Sequence, residues 1–235
     1  MIVPGTIDLE GLVARARALR HDLDGGVDVG VYHACGRDPQ EPLLCGGDLC
    51  ADVGFWARDP GRDEVRHMTP LIGAAGKLVR AGVYRAHHGR QPTDEQTLRE
   101  AGERVFLSNT VPFKPVGNKA WSMAVKRMFR PVMASLLVDC WSGRHLMTLG
   151  NVAFEWFAID ATATEKRALR AYWKREDRYT AAPFHFDLSS PLSGQSKTIA
   201  LLPLPHPSPL NAVWYPKFPG LLDNRFQQLK ALGLL

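Results

Sequence analysis

The sequence predicts an α/β protein in which a largely parallel sheet is covered by helices on both faces. Two observations support this fold class. Short, mostly apolar runs of four to six residues alternate along the chain with longer segments whose apolar residues recur at helical spacing. Apolar residues in these runs are consecutive and do not occur only at every second position, which is typical of strands buried on both sides. The helical segments between them supply the crossovers that parallel strands need.

Seven segments are predicted to be helices. The first, residues 8–21, begins at Asp8, whose carboxylate can accept hydrogen bonds from the free amides of the first turn. The clearest is 121–138, which has a continuous apolar stripe and an expected kink at Pro131. The others are predicted at 69–81, at 93–103 with Thr93 as its cap, from Gly150 through Phe157, at 164–177, and after Gly220.

Four strands are predicted at 53–56, 105–108, 145–149 and 199–204, and residues 23–50 are expected to form short strands and loops. Three of these strands end in polar segments rich in Pro or Gly, which core packing does not explain. Asp59 follows the first strand, Asn109 ends the second and His206 follows the fourth. Because ligands of parallel sheets bind outside the carboxyl ends of the strands, we expect these three side chains to converge.

The positive charge of the chain is concentrated in one segment. The whole chain has 29 basic and 24 acidic residues, a net charge of +5. Residues 111–150 hold six of the basic residues and one acid, so this segment accounts for the excess. A local basic patch suggests a surface for a polyanion, and a solvated face is the alternative. The residues are Lys114, Lys119, Lys126, Arg127, Arg130, Arg144 and the acid Asp139, with Lys126, Arg127 and Arg130 expected on the outer side of their helix.

Composition excludes several classes of protein. The 235 residues can bury a sizeable core, and 45% hydrophobic with 23% charged residues is typical of a globular protein. No apolar run approaches the roughly 18 residues of a membrane helix, and the N-terminus lacks the features of a secretion signal. Four cysteines are too few for a disulfide scaffold. We therefore expect one domain, residues 1–235, that is monomeric and cytoplasmic.

The three converging side chains suit cleavage of the bond between a sugar and a base. Asp59 can stabilise a developing cation or orient a water molecule. A neutral His206 can donate one hydrogen bond to a developing oxyanion. The amide of Asn109 offers a donor and an acceptor in a fixed fork, which matches the edge of a nucleobase. A base that leaves as an anion from an oxocarbenium-like sugar needs these functions and no metal.

The same segments resemble the motifs of the uracil-DNA glycosylase superfamily, over about residues 52–226. Residues 57–61, ARDPG, resemble its water-activating loop, and residues 106–111, FLSNTV, resemble its uracil-reading strand. Residues 206–210, HPSPL, resemble the motif that carries the catalytic His and a wedge residue, and residues 69–76, TPLIGAAG, resemble a segment of the iron–sulfur branch. The resemblance implies a three-layer α/β/α sandwich with a short parallel sheet, and base excision repair of DNA by flipping of the damaged nucleotide.

The resemblance also implies roles for individual residues. Asp59 would stabilise the sugar cation and position the water, and His206 would donate a hydrogen bond to O2 of the departing uracil anion. Asn109 would match the N3–H and O4 of uracil, whereas cytosine presents the opposite pattern and leaves buried groups unpaired. The other implied substrate-binding positions are Arg58, Gly61 and Leu71.

Contacts with DNA are expected from two regions. In the second motif, Leu210 would fill the gap that the flipped nucleotide leaves in the base stack, and Ser208 would contact a phosphate. In the basic segment, Lys114 and Lys119 are expected to contact phosphates, with simple solvation as the alternative. The substrate is then DNA that contains uracil, in single or double strands, and the products are uracil and an abasic site.

Two departures from the family pattern leave alternatives open. Gly61 stands where one branch has a Tyr that excludes the methyl group of thymine, so excision of thymine or hypoxanthine is an alternative activity. The position of the base-stacking Phe falls on Leu71 or Ile72, with Phe55 or Trp56 as other candidates. A non-catalytic protein that binds abasic DNA is the alternative of another class.

The cysteine pattern departs from the iron–sulfur branch. That branch has a Cys in the segment after the Asn, where this chain has Phe113-Lys114-Pro115. It also begins with Cys-x-x-Cys, whereas nine residues separate Cys35 from Cys45 and four separate Cys45 from Cys50. We therefore expect no cluster, no metal and no other cofactor.

Other candidate residues have a simpler interpretation. His87 and His88 could bind a metal, but no cluster of carboxylates accompanies them. Glu64 could pair with Asp59 as in glycosidases, and we expect instead that Glu64 lies outside the pocket and Asp59 acts alone. No Lys falls at a motif position, so the enzyme is expected to be monofunctional, without a Schiff base or strand nicking.

Overall fold

A computed structural model describes residues 7–23 and 25–234 of the chain; the N-terminal segment 1–6, in which the sequence predicts no secretion signal, lies outside them. The described part contains a six-stranded sheet with the order β1-β3-β2-β4-β6-β5. The four central strands are parallel, and each edge strand is antiparallel to its neighbour. The strands are β1 (Cys45–Gly47), β2 (Val53–Ala57), β3 (Phe106–Asn109), β4 (His145–Leu149), β5 (Phe184–Ser189) and β6 (Ser196–Leu204).

Helices cover both faces of the sheet. They are α1 (Leu9–Arg20), α2 (Val29–Ala34), α3 (Arg62–His67), α4 (Ala74–His88), α5 (Glu95–Gly102), α6 (Met123–Ser135), α7 (Asn151–Glu155), α8 (Ala163–Trp173) and α9 (Phe218–Ala231). A π-helical turn, Leu136–Cys140, continues α6, and 3-10 turns form at Val116–Asn118 and Trp156–Ala158. None of the described helices is long and apolar enough to cross a membrane.

The sheet separates two apolar cores. Side chains of adjacent strand residues point to opposite faces, so Phe55 packs with α4, α5 and α9, whereas Trp56 packs with α1, α6 and α7. All five residues of β2 are buried, as expected for a central parallel strand. The predicted fold class, an α/β/α sandwich with a mainly parallel sheet, is confirmed.

Each of the four predicted strands is present. β1 lies within residues 23–50, where short strands and loops were expected. The edge strand β5 was not predicted, and its residues alternate between exposed and less exposed. The helices α2 and α3 have six residues each, too short for helical periodicity to be recognised. The segment after β2 was expected to be a loop, and α3 occupies part of it.

The helix predicted at 69–81 is displaced along the chain. α4 begins only after Gly73 and continues to Gly89, whose φ of +67° ends it. Gly82 lies inside the helix, where α4 crosses α9: a Cβ there would be 2.2 Å from Cδ2 of Leu222. This glycine therefore allows two helices to pack closely and does not terminate one.

The helix predicted at 121–138 also needs correction. Ser122 caps α6, which begins at Met123. Lys126 and Arg130 are buried and do not lie on its outer side, whereas Arg127 is exposed. The guanidinium of Arg130 lies 4.0 Å above the ring of Trp156, so its long side chain packs on the core. Helix α5 shows a smaller difference, because its cap is Asp94 and not Thr93.

A buried ion pair holds the segment between β3 and α6. Lys114 is 3% exposed, and its Nζ lies 2.8 Å from Oδ2 of Asp28. The backbone amide of Asp28 donates to the carbonyl of Lys114 at 3.0 Å, so charge and backbone contacts act together. Hydrogen bonding to Lys114 holds the pKa of Asp28 below its usual value.

Asp28→Asn should reduce the free energy of unfolding by about 3 kcal/mol, because it leaves the ammonium of Lys114 buried without a counter-charge. Urea unfolding at pH 7 measures the change. The matched control is Glu95→Gln, which breaks the exposed ion pair with Lys77 and should leave the stability close to that of wild type. Equal effects of the two substitutions would contradict the structural role of the pair.

Candidate active site

A cleft of about 690 Å³ opens at the carboxyl edge of the parallel strands. The loops that follow β2 and β6 form two of its walls, and the N-terminus of α4 and Pro115 form the others. The cleft therefore lies where the arrangement of polar strand ends predicts a site. Its lining includes Arg58, Asp59, Gly61, Glu64, Gly73, Pro115, His206, Ser208, Leu210 and Asn211.

Asp59 lies in the cleft with its side chain only 2% exposed. Its Oδ2 is 3.1 Å from Nε of Arg58. Burial raises the pKa of Asp59 to about 6, and the charges of Arg58 and Lys126 limit the increase. The loop is held against the end of β3, because the amide of Thr110 donates to the carbonyls of Ala57 and Arg58 at 2.9 and 3.0 Å. At neutral pH the site thus contains a largely ionised carboxylate in a poorly hydrated environment.

Asn109 ends β3 in register with Ala57, next to the Asp59 loop. Its side chain is buried and is not among the residues that line the cleft. The Nδ2 atom is buried and has no hydrogen-bond partner among the described residues. A buried amide without an acceptor is costly in a folded protein, so this donor marks a place where a ligand can be recognised.

His206 follows β6 and lines the same cleft as Asp59. Burial, assisted by the charge of Arg58, lowers the pKa of His206, so the imidazole is neutral at pH 7. Gly150, at the end of the intervening strand β4, makes room for it. A Cβ on Gly150 would lie 3.0 Å from Cβ of His206, and the φ of +87° is one that glycine adopts readily.

Glu64 lies in the cleft, contrary to expectation. Its carboxylate accepts hydrogen bonds from the amides of Gly61 at 3.0 Å and Gly73 at 3.4 Å. It therefore joins the Asp59 loop to the N-terminus of α4. A Cβ on Gly61 would be 2.6 Å from Oε2 of Glu64, so this carboxylate occupies the space beside Gly61. The sequence did not indicate this contact, because no helix was predicted where α3 presents Glu64.

Leu71 does not face the cleft. It is buried in the core with a φ of +53°, and its carbonyl accepts a hydrogen bond from Nε of Arg80 at 2.8 Å. Ile72 lines a separate cavity between α3, α4 and α5. The other stacking candidates, Phe55 and Trp56, are fully buried in the two cores. The expected substrate-binding role of Leu71 does not fit this arrangement, and the described residues that line the cleft include no Phe, Tyr or Trp.

Residues 206–215, the wedge loop, form one rim of the cleft. Leu210 is 97% exposed. Oγ of Ser208 accepts a hydrogen bond from the amide of Leu210 at 3.3 Å, and Nδ2 of Asn211 donates to the carbonyl of His206 at 3.3 Å. These contacts hold the apolar side chain of Leu210 in solvent beside the cleft, which is the position expected of a wedge residue.

The basic segment does not form one continuous patch. Lys114, Lys126 and Arg130 are buried, whereas Lys119 and Arg127 are exposed. The expectation that Lys114 contacts a phosphate does not fit its position, because its ammonium is used inside the protein. Charge counted along the sequence does not distinguish a solvent-exposed ammonium from a buried one.

Metal-ligating side chains are dispersed in this structure. Across residues 7–23 and 25–234, no three His, Cys, Asp or Glu side chains are grouped so that they could hold a metal ion. The described cysteines, Cys35, Cys45, Cys50 and Cys140, are free thiols.

Asp59→Asn should increase the free energy of unfolding at pH 8 by about 2–3 kcal/mol. The pKa of Asp59 is raised in the folded state, so ionisation of its carboxyl group destabilises the folded protein above about pH 6. Ionisation has no effect on stability below pH 3.8, the pKa of this carboxyl group in the unfolded chain. The gain should therefore disappear as the pH falls below about 4. Urea unfolding of both proteins between pH 3.5 and about 8 tests this dependence. A loss of stability at pH 8 would contradict the predicted cost of ionised Asp59.

Comparison with known proteins supports a family assignment. The family model described as the uracil DNA glycosylase superfamily matches residues 46–230, which is most of the chain and includes Asp59, Asn109 and His206. No curated protein sequence gives a significant match. The matched region begins in β1 and ends in α9, so it covers the whole sheet and the cleft. The chain therefore belongs to the uracil DNA glycosylase superfamily.

Proposed function

We propose that this DNA glycosylase is a monofunctional uracil-DNA glycosylase that releases uracil from a flipped deoxyuridine and leaves an abasic site. Family membership supports a DNA glycosylase, and the proposal adds the substrate and the mechanism. The observation that carries it is the convergence of Asp59 and His206 on one cleft, next to the strand end that holds Asn109 and its unpaired Nδ2. A non-catalytic binder of abasic DNA has no need for these three groups together.

Asn109 supports the choice of uracil. Its Nδ2 can donate to O4 of uracil, and its Oδ1 can accept from N3–H. Cytosine offers a donor at position 4 and an acceptor at N3, so both pairings would be lost inside a buried site. A ligand with an acceptor at this position also pairs the amide that has no partner among the described residues.

The reaction follows from the charges of the site. As the C1′–N1 bond breaks, its electron pair goes to the base, and neutral His206 donates a hydrogen bond to O2 of the resulting anion. The carboxylate of Asp59 stabilises the oxocarbenium-like sugar and orients a water molecule, whose oxygen bonds to C1′ as one of its protons passes to the carboxylate and then to solvent. The uracil anion leaves and takes up a proton from solvent. Arg58 lies beside Asp59 and favours its ionised form.

The absence of a side chain at Gly61 favours a second activity, the release of thymine or hypoxanthine from mispairs. Gly61 itself cannot exclude a methyl group, so exclusion would depend on the carboxylate of Glu64, which occupies the space beside it. A panel of oligonucleotides with uracil, thymine or hypoxanthine opposite guanine distinguishes the two activities. Faster release of thymine than of uracil would favour the broader enzyme.

Purified protein should release uracil from a uracil-containing oligonucleotide in the presence of EDTA. Asp59→Asn and His206→Ala should each reduce kcat/KM by about 10²- to 10⁴-fold, because each removes a group that acts on the transition state. Asp177→Asn, at an exposed ion pair with Arg175, is the matched control and should retain activity. Full activity of Asp59→Asn would exclude the role of Asp59, and nicking without alkali would exclude a monofunctional enzyme.

The rate should depend on pH through Asp59. Because Asp59 must be ionised, kcat/KM for uracil release should fall by about tenfold per pH unit below about 6 and reach a plateau above it. Lys126→Met removes a positive charge that favours the carboxylate, so the midpoint should move to higher pH. Lys126→Arg retains the charge and should restore the wild-type midpoint. Identical profiles for all three proteins would show that Lys126 does not act on Asp59.

A further inference from the structure

The exposed apolar side chains of this protein are concentrated around the cleft. Five large hydrophobic side chains are strongly exposed in the described part of the chain, and four of them lie on two segments beside the cleft. Leu210 and Val213, 97% and 63% exposed, lie on the wedge loop. Val116 and Met123, 49% and 50% exposed, lie on the segment that leads from β3 into α6. A surface with this distribution indicates a partner that buries apolar groups.

The two segments form different walls of the same cleft. Pro115 and Leu210 both line it, and Val116 directly follows Pro115. Met123 lies one turn before Lys126, whose charge acts on Asp59, so the start of α6 is also close to the site. The wedge loop thus provides one apolar contact, and residues 113–123, which we name the Pro115 segment, provide another.

The Pro115 segment is held firmly in place. The Lys114–Asp28 ion pair fixes one end, and the amide of Val116 donates to the carbonyl of Gly26 at 3.0 Å. Nε1 of Trp121 donates to the carbonyl of Phe113 at 2.7 Å, which closes the loop on itself. Side chains that are exposed on a rigid loop are ready to bind without a further ordering cost.

The charges near the two walls fit a nucleic acid. Lys119 is exposed on the Pro115 segment, and Arg127 is exposed on the first turns of α6, where Asp160 lies 3.4 Å away. Lys217 is exposed just beyond the wedge loop, over the ring of Trp214. Exposed cations that flank apolar side chains are expected on a surface that binds unstacked bases and the phosphates on either side of them.

We propose that Val116 and Met123 contact the strand opposite the flipped nucleotide, which makes duplex DNA the preferred substrate; the inference rests on the proposed glycosylase function. Flipping leaves one base in the opposite strand without a partner. Leu210 fills the position of the missing nucleotide, and the second apolar contact covers the exposed face of the unpaired base. A single strand has no such base, so Val116 and Met123 contribute nothing to its binding.

The test compares uracil in a U:G duplex with uracil in the same strand alone, using wild type and the double variant Val116→Ser/Met123→Ser. The variant should lose about tenfold or more in kcat/KM on the duplex and change less than about twofold on the single strand. Leu232→Ser, at an exposed leucine beyond the end of α9, is the matched control and should change neither rate.

Binding gives a second measurement that does not need turnover. Affinity for a duplex with a tetrahydrofuran abasic analogue should fall in the double variant by a similar factor, with unchanged urea unfolding. Equal losses on duplex and single strand, or no loss on the duplex, would overturn the inference. Absence of uracil release by wild type from both substrates would instead overturn the proposed function.

Discussion

Parallel pairing of the central strands is the constraint on which the rest of the structure depends. Backbone hydrogen bonds join β3, β2, β4 and β6 in one direction, so their carboxyl ends meet at one edge. Asp59, Asn109 and His206 are far apart in the sequence and come together only for this reason. The helices on both faces bury the strands, and this burial keeps the pairing in register.

Desolvation links the stability of the site to its chemistry. Burial raises the pKa of Asp59 and lowers the pKa of His206. Asp59 is therefore a destabilised anion, and His206 is a neutral hydrogen-bond donor. Asn109 retains an unpaired donor in the same region. The buried carboxylate and the unpaired amide are unfavourable in the free protein and become favourable when a substrate or a developing positive charge is present, which is typical of catalytic sites.

Uniform burial made the central strands predictable from the sequence, and their polar ends made the site predictable. β2 is apolar throughout and β4 is mostly apolar, with four of its five residues buried, and both were located almost to the residue. The short helix α3 was not predicted, so the position of Glu64, which lies on this helix, was not predicted either. Lys114 and Leu71 were predicted to lie at the site because of the motifs near them in the sequence. Their positions are determined instead by long-range contacts, of Lys114 with Asp28 and of Leu71 with Arg80. Such contacts are not visible in local patterns.

The position of β4 in the sheet affects the width of the cleft that receives the substrate. It lies between β2 and β6 and is followed by Gly150, which has no side chain to extend into the cleft. The strands that lead to Asp59 and His206 are therefore two strand spacings apart, about 9.5 Å, with an empty strand end between them. The width of the cleft is thus set by the hydrogen-bond spacing of the sheet itself. Changes in the loops can alter which base is recognised while the distance between the acid and the imidazole stays nearly constant.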